Sequence, residues 1–457
     1  MPSPTDTSRT PSTSTALLAL AGPVYVELLS GVVAGIVDTF WVARLGRTAI
    51  GAVAVATTVE NVLLGVVLAI GVGTTVLLAA ERGALRATAR AAWLLWLAVT
   101  PLVALGGWAV REPLAAVLTG GEGAQSGAAA AFLAVSMPGV AVYFAQNVVD
   151  GIFKGLGDTR TPMRMALLAN ATLLVLDPVL IYGLCGAPRL GVTGAALALV
   201  ASRVAPLLVS LRRARRLLHR AEPATRLRPA EAARRILRVG LPTSADFVAR
   251  MLIGLAMVAL TARFGAVPLA AYGIGTKVML VATMAFYAVR QAASIRLGRT
   301  PEALASIRRQ ALQLAWAAAL VADAVLLAAP EPLLRVFTGD AAVLHAGVVL
   351  FRYLAGYLLA LAGVVALAGA LLATGRAAVM LRITVLGAAA QIPLAWALDR
   401  VMGVQGVWLA MPLGTALQLA LTFGALFLPG GKRGIVAAPP PSALGAAATE
   451  GLGTSSR

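Results

Sequence analysis

Charged residues are scarce in this chain of 457 residues, where they make up 12% of the sequence against 59% hydrophobic residues. A typical soluble domain carries about 25% charged residues, so this chain has too little polar surface to face water. Its apolar runs are long and rich in Ala, Leu and Val, as membrane-spanning helices require. They lack the short alternating segments of an outer-membrane barrel. The sequence therefore predicts an all-α integral membrane protein.

Cysteine and histidine are also scarce. The single cysteine, Cys185, excludes a disulfide within the chain. The two histidines, His219 and His345, are too few to build a metal cluster. A membrane-embedded enzyme would need His, Cys or carboxylate residues clustered near one interface, and the sequence has no such cluster. We therefore expect no enzymatic activity, no metal and no other cofactor.

Hydrophobic runs long enough to cross a membrane occur twelve times. An even number of spans places both termini on one side, and that side carries 26 Lys and Arg residues against 7 on the other. By the positive-inside rule the richer side is the cytoplasm. We predict a multi-pass protein of the plasma (inner) membrane with both termini cytoplasmic. The predicted spans are 15–42, 49–79, 91–110, 127–152, 164–184, 191–210, 237–262, 268–295, 305–329, 345–373, 377–398 and 404–428.

One long basic segment divides six spans from six. The net charge of +19 could suggest nucleic acid, but the basic residues lie between hydrophobic runs. Contact with anionic lipid headgroups is therefore the favoured interpretation. The predicted organisation is a disordered tail at 1–14, an N-terminal six-helix bundle at 15–210, a basic cytoplasmic linker at 211–236, a C-terminal six-helix bundle at 237–428 and a disordered tail at 429–457.

The two bundles share sequence features at a constant offset. Residues 43–53 have the sequence ARLGRTAIGAV and residues 262–272 have ARFGAVPLAAY, at an offset of 219. Gly157 and Gly375 correspond at an offset of 218. Because order is preserved across an even number of spans, the halves are parallel repeats related by a pseudo-two-fold axis along the membrane normal. Such pairs commonly rock about a central site to give alternating access.

Two carboxylates lie within predicted spans of the first half, Asp38 late in the first span and Asp177 in the fifth. An ionisable group deep in a membrane is costly and is usually retained for a function. Burial disfavours the charged form of a carboxyl group, which can then take and release a proton near neutral pH. We therefore predict two proton-binding sites. The alternative is that each carboxylate caps a backbone gap or pairs with a nearby arginine.

Two prolines are candidate hinges, since proline removes a helix hydrogen bond and opens a kink. Pro23 lies inside the first span and Pro178 directly follows Asp177. A fixed kink is the alternative for both. Polar residues of the same half are candidates to line a cavity. These candidate cavity-lining residues are Tyr25, Glu27, Gln146, Asn147 and Asn170.

The second half carries its own charges within predicted spans. Asp246 and Arg250 are four residues apart, share one helix face and are predicted to form an ion pair. Lys277, Arg290 and Asp323 are expected to face a cavity or one another, and the sequence does not pair them.

Two stretches of the first half carry a family resemblance. The stretch GPVYVELLSGVVAGIVDTFWVARLG resembles the opening signature of the multidrug and toxic compound extrusion (MATE) family, with its proline, late Asp and following LG turn. The stretch GIFKGLGDTRTPMRMALLANATLLVLDPVLIYG resembles the second signature, a GDTRTP loop before a span that ends in LDP. The similarity covers about 15–428. It implies two six-helix bundles forming a V and export of organic, often cationic or amphipathic, compounds in exchange for protons or sodium.

The resemblance also implies a branch and a coupling ion. Arg250 stands where some members carry a glutamate, and DinF-like members tend to carry arginine there, so the chain is most similar to that branch. The usual protonation site of the branch corresponds to Asp38, and the second family carboxylate corresponds to Asp177. Leu173 stands where the family often has asparagine. This weakens a sodium site, which needs several oxygen ligands.

The expected function is that of a secondary active exporter of xenobiotics by proton antiport, with sodium less favoured. In this hypothesis Asp38 takes a proton in the outward-open state, the first span bends at Pro23, and the drug is expelled. The expected partners are small organic substrates and membrane lipids, without nucleic acid, and the chain is expected to be a monomer. The alternative is a lipid-linked sugar or lipid flippase of a related superfamily, which would need a larger basic cavity. A channel is disfavoured because no selectivity-filter repeat is visible.

Overall fold

The computed structural model describes residues 13–221 and 227–427. Twelve helices in these ranges are long and apolar enough to cross a membrane, which confirms the all-α class and the predicted number of spans. The described α-helices are α1 (Thr13–Ala43), α2 (Arg47–Ala80), α3 (Leu85–Ala109), α4 (Arg111–Thr119), α5 (Ala124–Gly155), α6 (Arg160–Tyr182), α7 (Val192–Arg220), α8 (Pro229–Ala262), α9 (Ala266–Arg299), α10 (Leu304–Ala328), α11 (Pro330–Arg335), α12 (Ala341–Ala373), α13 (Ala377–Met402) and α14 (Val404–Phe427).

The same order of elements occurs in both halves. Each half has three spans, a short helix (α4 or α11) and three further spans. The turns paired by the sequence offsets also share a backbone conformation, since Gly46 and Gly265 have φ 103° and 101°, and Gly157 and Gly375 have 81° and 71°. Glycine is needed at such positive φ values because a side chain would clash with the backbone.

Helices α7 and α8 leave few residues between the two halves. α7 continues to Arg220 and α8 begins at Pro229, so most of the predicted linker at 211–236 extends these two helices. The two predicted tails lie outside the described residues, except for residues 13 and 14, with which α1 begins. The predicted domain boundaries therefore stay predictions.

Close backbone packing joins the halves at the end of the molecule that carries the linker. There α2 packs against α8 and α9, and α1 packs against α9. A Cβ atom at Gly73 would overlap the carbonyl oxygen of Ile236, and one at Gly240 would overlap that of Ala69. Glycine lets two membrane helices approach this closely, so these positions set the distance between the halves.

The buried clusters show where the halves touch. At the linker end, Val76 of α2 shares a cluster with Val239 of α8 and Leu371 of α12. Toward the opposite end, the cluster that holds Val53 and Ile181 draws on the first half alone. The halves therefore share a buried cluster at the linker end, whereas the cluster toward the other end belongs to one half.

Candidate functional site

The two predicted proton-binding aspartates lie side by side in the first half. α1 and α6 pack together through Ala34 and Leu173, which share a buried cluster. Asp38 and Asp177 each lie one helical turn beyond these contact residues, and their carboxyl groups are close enough for their charges to interact. The parallel course of the two helices therefore brings these residues together.

The surroundings of the two carboxyl groups differ. Asp38 is half-buried. Asp177 is completely buried at 0% exposure, and neither of its carboxyl oxygens has a hydrogen-bond partner in the described part of the chain. A charged carboxylate without a partner is costly in a dry interior. A proton or another cation bound at Asp177 would remove this cost.

The residue one turn before Asp177 supplies no ligand atom. Leu173 is 4% exposed and packs against Ala34 and Ala198. Asn170, the nearest amide on α6, donates instead to the hydroxyl of Ser30 on α1 at 2.9 Å. Leu173 therefore contributes no oxygen atom beside Asp177.

A cavity of about 220 Å³ lies between α1, α5, α6 and α7. Four of the five predicted cavity-lining residues line it, and Tyr25 is not among its lining residues. The four are Glu27, Gln146, Asn147 and Asn170.

A buried charge cluster forms one wall of this cavity. Lys154 donates to the carboxylate of Glu27 at 2.7 Å, so the last turn of α5 is tied to α1. Asp150 lies one turn earlier on α5, close enough to Lys154 for their charges to interact. Gln146 donates to Asp150 at 2.8 Å and to Ser210 of α7 at 3.2 Å. This network connects three helices of the first half.

A second cavity of about 180 Å³ adjoins the first and holds Glu60 of α2 in its wall. Tyr143 and Arg203 line both cavities. The guanidinium of Arg203 lies 5.1 Å from the ring centroid of Tyr143, and its charge interacts with that of Glu60. Glu60 in turn is close enough to Asp38 for their charges to interact. The two cavities and the aspartate pair thus form one polar region within the first half.

Four charged residues of this region were missed by the sequence reasoning. Glu60, Asp150 and Arg203 all fall within predicted spans, so the cost of an intramembrane charge was a signal that could have found them. Lys154 lies between the predicted spans 127–152 and 164–184, whereas the structure places it in the last turn of α5, 8% exposed.

The two candidate hinge prolines lie inside continuous helices. Pro23 separates two parts of α1 with different neighbours. Before it, Leu17 and Ala21 belong to a buried cluster of the second half. After it, Ala34 and Val42 belong to clusters of the first half. Pro178 is half-buried and directly follows Asp177.

The second half holds the predicted pair of Asp246 and Arg250 as an ion pair at 3.1 Å within α8. Thr384 of α13 joins it, donating to Asp246 at 2.5 Å and accepting from Arg250 at 2.9 Å. The other predicted charges of this half are not brought together by any described ion pair. Lys277 is exposed, and Arg290 lies over the ring of Tyr287 at 4.8 Å. Asp323 is buried, and one of its oxygens has no partner among the described residues.

Comparison with known proteins relates both halves of the chain to a known family. A family model for MatE matches residues 23–179 and 242–397, one copy in each half. The chain is 28% identical over 415 residues to a probable multidrug resistance protein NorM of Thermotoga maritima, covering 86% of this chain and 88% of that relative. It is 26% identical over 282 residues to an FAD transporter of Shewanella oneidensis, covering 59% and 62% of the two chains.

Solved structures show the same fold. An outward-facing multidrug resistance MATE family transporter of the MOP superfamily gives a TM-score of 0.81 at 20% identity, over 90% of this chain and 94% of that chain. The Vibrio cholerae MATE transporter VcmN in its bent form gives 0.81 at 18% identity, over 90% and 95%. Together with the match of the family model across both halves, these findings show that the chain is a multi-pass membrane transporter of the MatE family and a homologue of the NorM multidrug resistance proteins.

Proposed function

We propose that this protein exports organic, often cationic or amphipathic, compounds from the cytoplasm by exchange for protons. The observation that carries the proposal is the buried carboxyl group of Asp177, which has no partner in the described part of the chain and lies beside Asp38. Two adjacent carboxyl groups in a poorly hydrated bundle need a cation for neutrality. A proton that enters and leaves with each cycle supplies it.

The charge of the two cavities supports a cationic substrate. Three acidic residues, Glu27, Asp150 and Glu60, line them with Arg203. Lys154 pairs with Glu27, so the acidic residues still exceed the basic ones by one. An acidic wall attracts a positively charged compound and repels an anionic one. A lipid-linked sugar flippase would favour a larger basic cavity, so the acidic lining argues against that alternative.

The apolar contact at Leu173 supports a proton over sodium as the coupling ion. Sodium needs several oxygen ligands at once, and the side chain one turn from Asp177 offers none. A proton needs only one carboxyl oxygen. The coupling at Asp38 and Asp177 is therefore assigned to H⁺.

The packing of α1 supports a bend at Pro23 during transport. The part of α1 before Pro23 packs with the second half and the part after it packs with the first half. Asp38 lies after Pro23, and neutralising it changes how this part of α1 packs against α6. The part of α1 before Pro23 meanwhile stays packed with the second half. A proline at the junction lowers the cost of bending because one helix hydrogen bond is already absent.

The distribution of basic residues supports the orientation. The linker end carries most of the Lys and Arg residues outside the membrane, so it is assigned to the cytoplasm. The closed linker end then corresponds to an outward-open state. Alternation between this state and an inward-open one requires only that protonation favours one of them.

The charged pair of α8 supports assignment to the DinF-like branch. Arg250 fills the position at which other members carry a glutamate, and its ion pair with Asp246 gives the second half no free carboxylate there. The first half then holds the coupling site.

The test uses the full chain in proteoliposomes loaded with a fluorescent organic cation, with a pH gradient imposed across the bilayer. Asp38→Asn and Asp177→Asn are each expected to abolish gradient-driven dye movement. Asp323→Asn serves as the matched control, since Asp323 is also a buried intramembrane carboxyl group but lies in the second half. Transport by Asp38→Asn equal to that of the wild type would remove the proposed proton site.

A further inference from the structure

A groove of about 780 Å³ opens along α3 at the linker end, apart from the two central cavities. Its wall includes Arg86, Arg90, Trp93, Leu94 and Leu97, spaced so that they face one side of the helix. His219, near the end of α7, and Pro229, at the start of α8, complete it. The groove therefore adjoins both halves where they are closed together.

The polarity of the groove changes along the membrane normal. Arg86 and Arg90 occupy the first two turns of α3, and Leu94 and Leu97 follow one and two turns deeper, 57% and 59% exposed. From Arg86 to Leu97 the helix rises about 16 Å. The basic end takes up the first part of this rise, and the apolar wall from Trp93 to Leu97 rises about 6 Å. A basic end followed by an apolar wall fits a headgroup and the upper part of an acyl chain, since one leaflet is about 15 Å deep.

The walls of the groove are held in place by the protein itself. Arg86 donates to the carbonyl oxygens of Leu218 at 3.2 Å and His219 at 3.4 Å, fixing the end of α7 to α3. Trp96 donates to the carbonyl oxygen of Ala141 at 3.2 Å, and Trp93 meets Trp96 edge to face at 5.5 Å. A ligand therefore finds the groove already formed.

Basic residues concentrate at the shallow end of the groove. Arg90 and His219 are exposed. Further exposed arginines follow along the last turns of α7, which raises the local positive potential. These are Arg212, Arg213, Arg215, Arg216 and Arg220.

We propose that this groove binds one anionic phospholipid from the leaflet on the linker side. Arg90 contacts the phosphate, and one acyl chain lies along Trp93, Leu94 and Leu97. Charge complementarity selects an anionic over a zwitterionic headgroup, and the apolar wall selects a lipid over a free phosphate. Because Pro229 of α8 lines the same groove, the bound lipid bridges the two halves.

The test measures quenching of tryptophan fluorescence in the full chain, purified in uncharged detergent, by brominated phosphatidylglycerol and by brominated phosphatidylcholine. The Trp93→Phe variant identifies the part of the quenching that comes from the groove. We expect half-maximal quenching of Trp93 at a concentration of phosphatidylglycerol about fivefold lower than that of phosphatidylcholine. This factor corresponds to the attraction of one basic side chain to an anionic lipid, about 1 kcal/mol. Soluble glycerol phosphate is expected not to compete.

Two arginine variants distinguish lipid binding in the groove from the general attraction of anionic lipid to the positive charge at this end. Arg90→Gln is expected to remove the preference for phosphatidylglycerol, whereas Arg212→Gln, which changes an exposed arginine outside the groove wall, is expected to retain it. Equal quenching of the wild type by both lipids would overturn the proposal, as would quenching that Trp93→Phe leaves unchanged. The wild-type comparison keeps the proposal testable if a variant fails to fold. Dye transport by the unliganded protein tests the antiporter proposal separately.

Discussion

The ammonium of Lys154 lies 2.7 Å from the carboxylate of Glu27, with the two side chains 10% and 14% exposed. Glu27 stands one turn after Pro23, where α1 begins to pack with the first half. Asp150 supplies a second carboxylate near the same ammonium. The ammonium of Lys154 therefore lies beside two carboxylates, at the point where α1 begins to pack with the first half.

Lys154→Met should destabilise the protein more than Glu27→Gln does. Removing the ammonium leaves Glu27 and Asp150 without the cation that lies beside both of them, and breaking a buried pair costs about 3–5 kcal/mol. Removing Glu27 still leaves Lys154 beside Asp150. The midpoint of thermal unfolding in detergent measures the difference.

The exposed pair of Arg335 and Glu331, 66% and 58% exposed, provides the control for Lys154. Arg335→Met breaks it and should cost only about 0–1 kcal/mol. Lys154→Arg should keep most of the stability because it retains the charge. Equal effects of Lys154→Met and Glu27→Gln would show that Asp150 does not share the ammonium.

The sequence predicted the number of spans and the two halves because long apolar runs and fixed offsets are local features of a chain. The site was harder to predict. Asp38 and Asp177 are adjacent only because α1 and α6 run parallel, and Lys154 pairs with Glu27 across 127 residues of sequence. Such long-range pairs depend on how helices pack, which periodicity does not encode.

Gly240→Ala should weaken the closure of the halves at the linker end. The added methyl group would overlap the carbonyl oxygen of Ala69 on α2, and overpacking costs about 1–3 kcal/mol. The helices must separate there, which shifts the protein away from the state closed at the linker end. Spin labels at Thr48 and Ala266, at the opposite end, should then report a shorter distance in a Cys185→Ser background.

Gly254→Ala on the same helix is the matched control for Gly240. A Cβ atom at Gly254 meets nothing within 4 Å. Alanine in place of a helical glycine then stabilises by up to about 1 kcal/mol, and the label distance should not change. A label distance for Gly240→Ala that equals the wild-type value would contradict the proposed role of this contact.

Thr384→Val should destabilise the second half by about 1–3 kcal/mol, because it leaves Asp246 and Arg250 each without one hydrogen-bond partner in a buried place. The change keeps the shape of the side chain and removes only the hydroxyl. Thermal unfolding of the purified chain measures the loss.

Thr261→Val tests whether the loss of hydrogen bonds causes the destabilisation expected for Thr384→Val. Thr261 is also completely buried on α8, but its hydroxyl has no partner among the described residues. Replacing an unpaired hydroxyl by a methyl group should be neutral or slightly stabilising. If both valine variants lost the same stability, the loss at Thr384 would come from packing and not from the ion pair.

Gradient-driven transport by the wild type should not depend on sodium. Leu173 offers no oxygen atom beside Asp177, so the pair of Asp38 and Asp177 lacks a ligand that sodium, which needs several, would use. Replacing sodium by choline in the proteoliposome assay should leave the rate unchanged. Leu173→Asn adds an amide oxygen beside Asp177 and should give the variant a response to sodium, whereas Leu173→Ala should give none. A wild-type rate that follows the sodium concentration would require ligands that these residues do not provide, and the coupling ion would have to be reassigned.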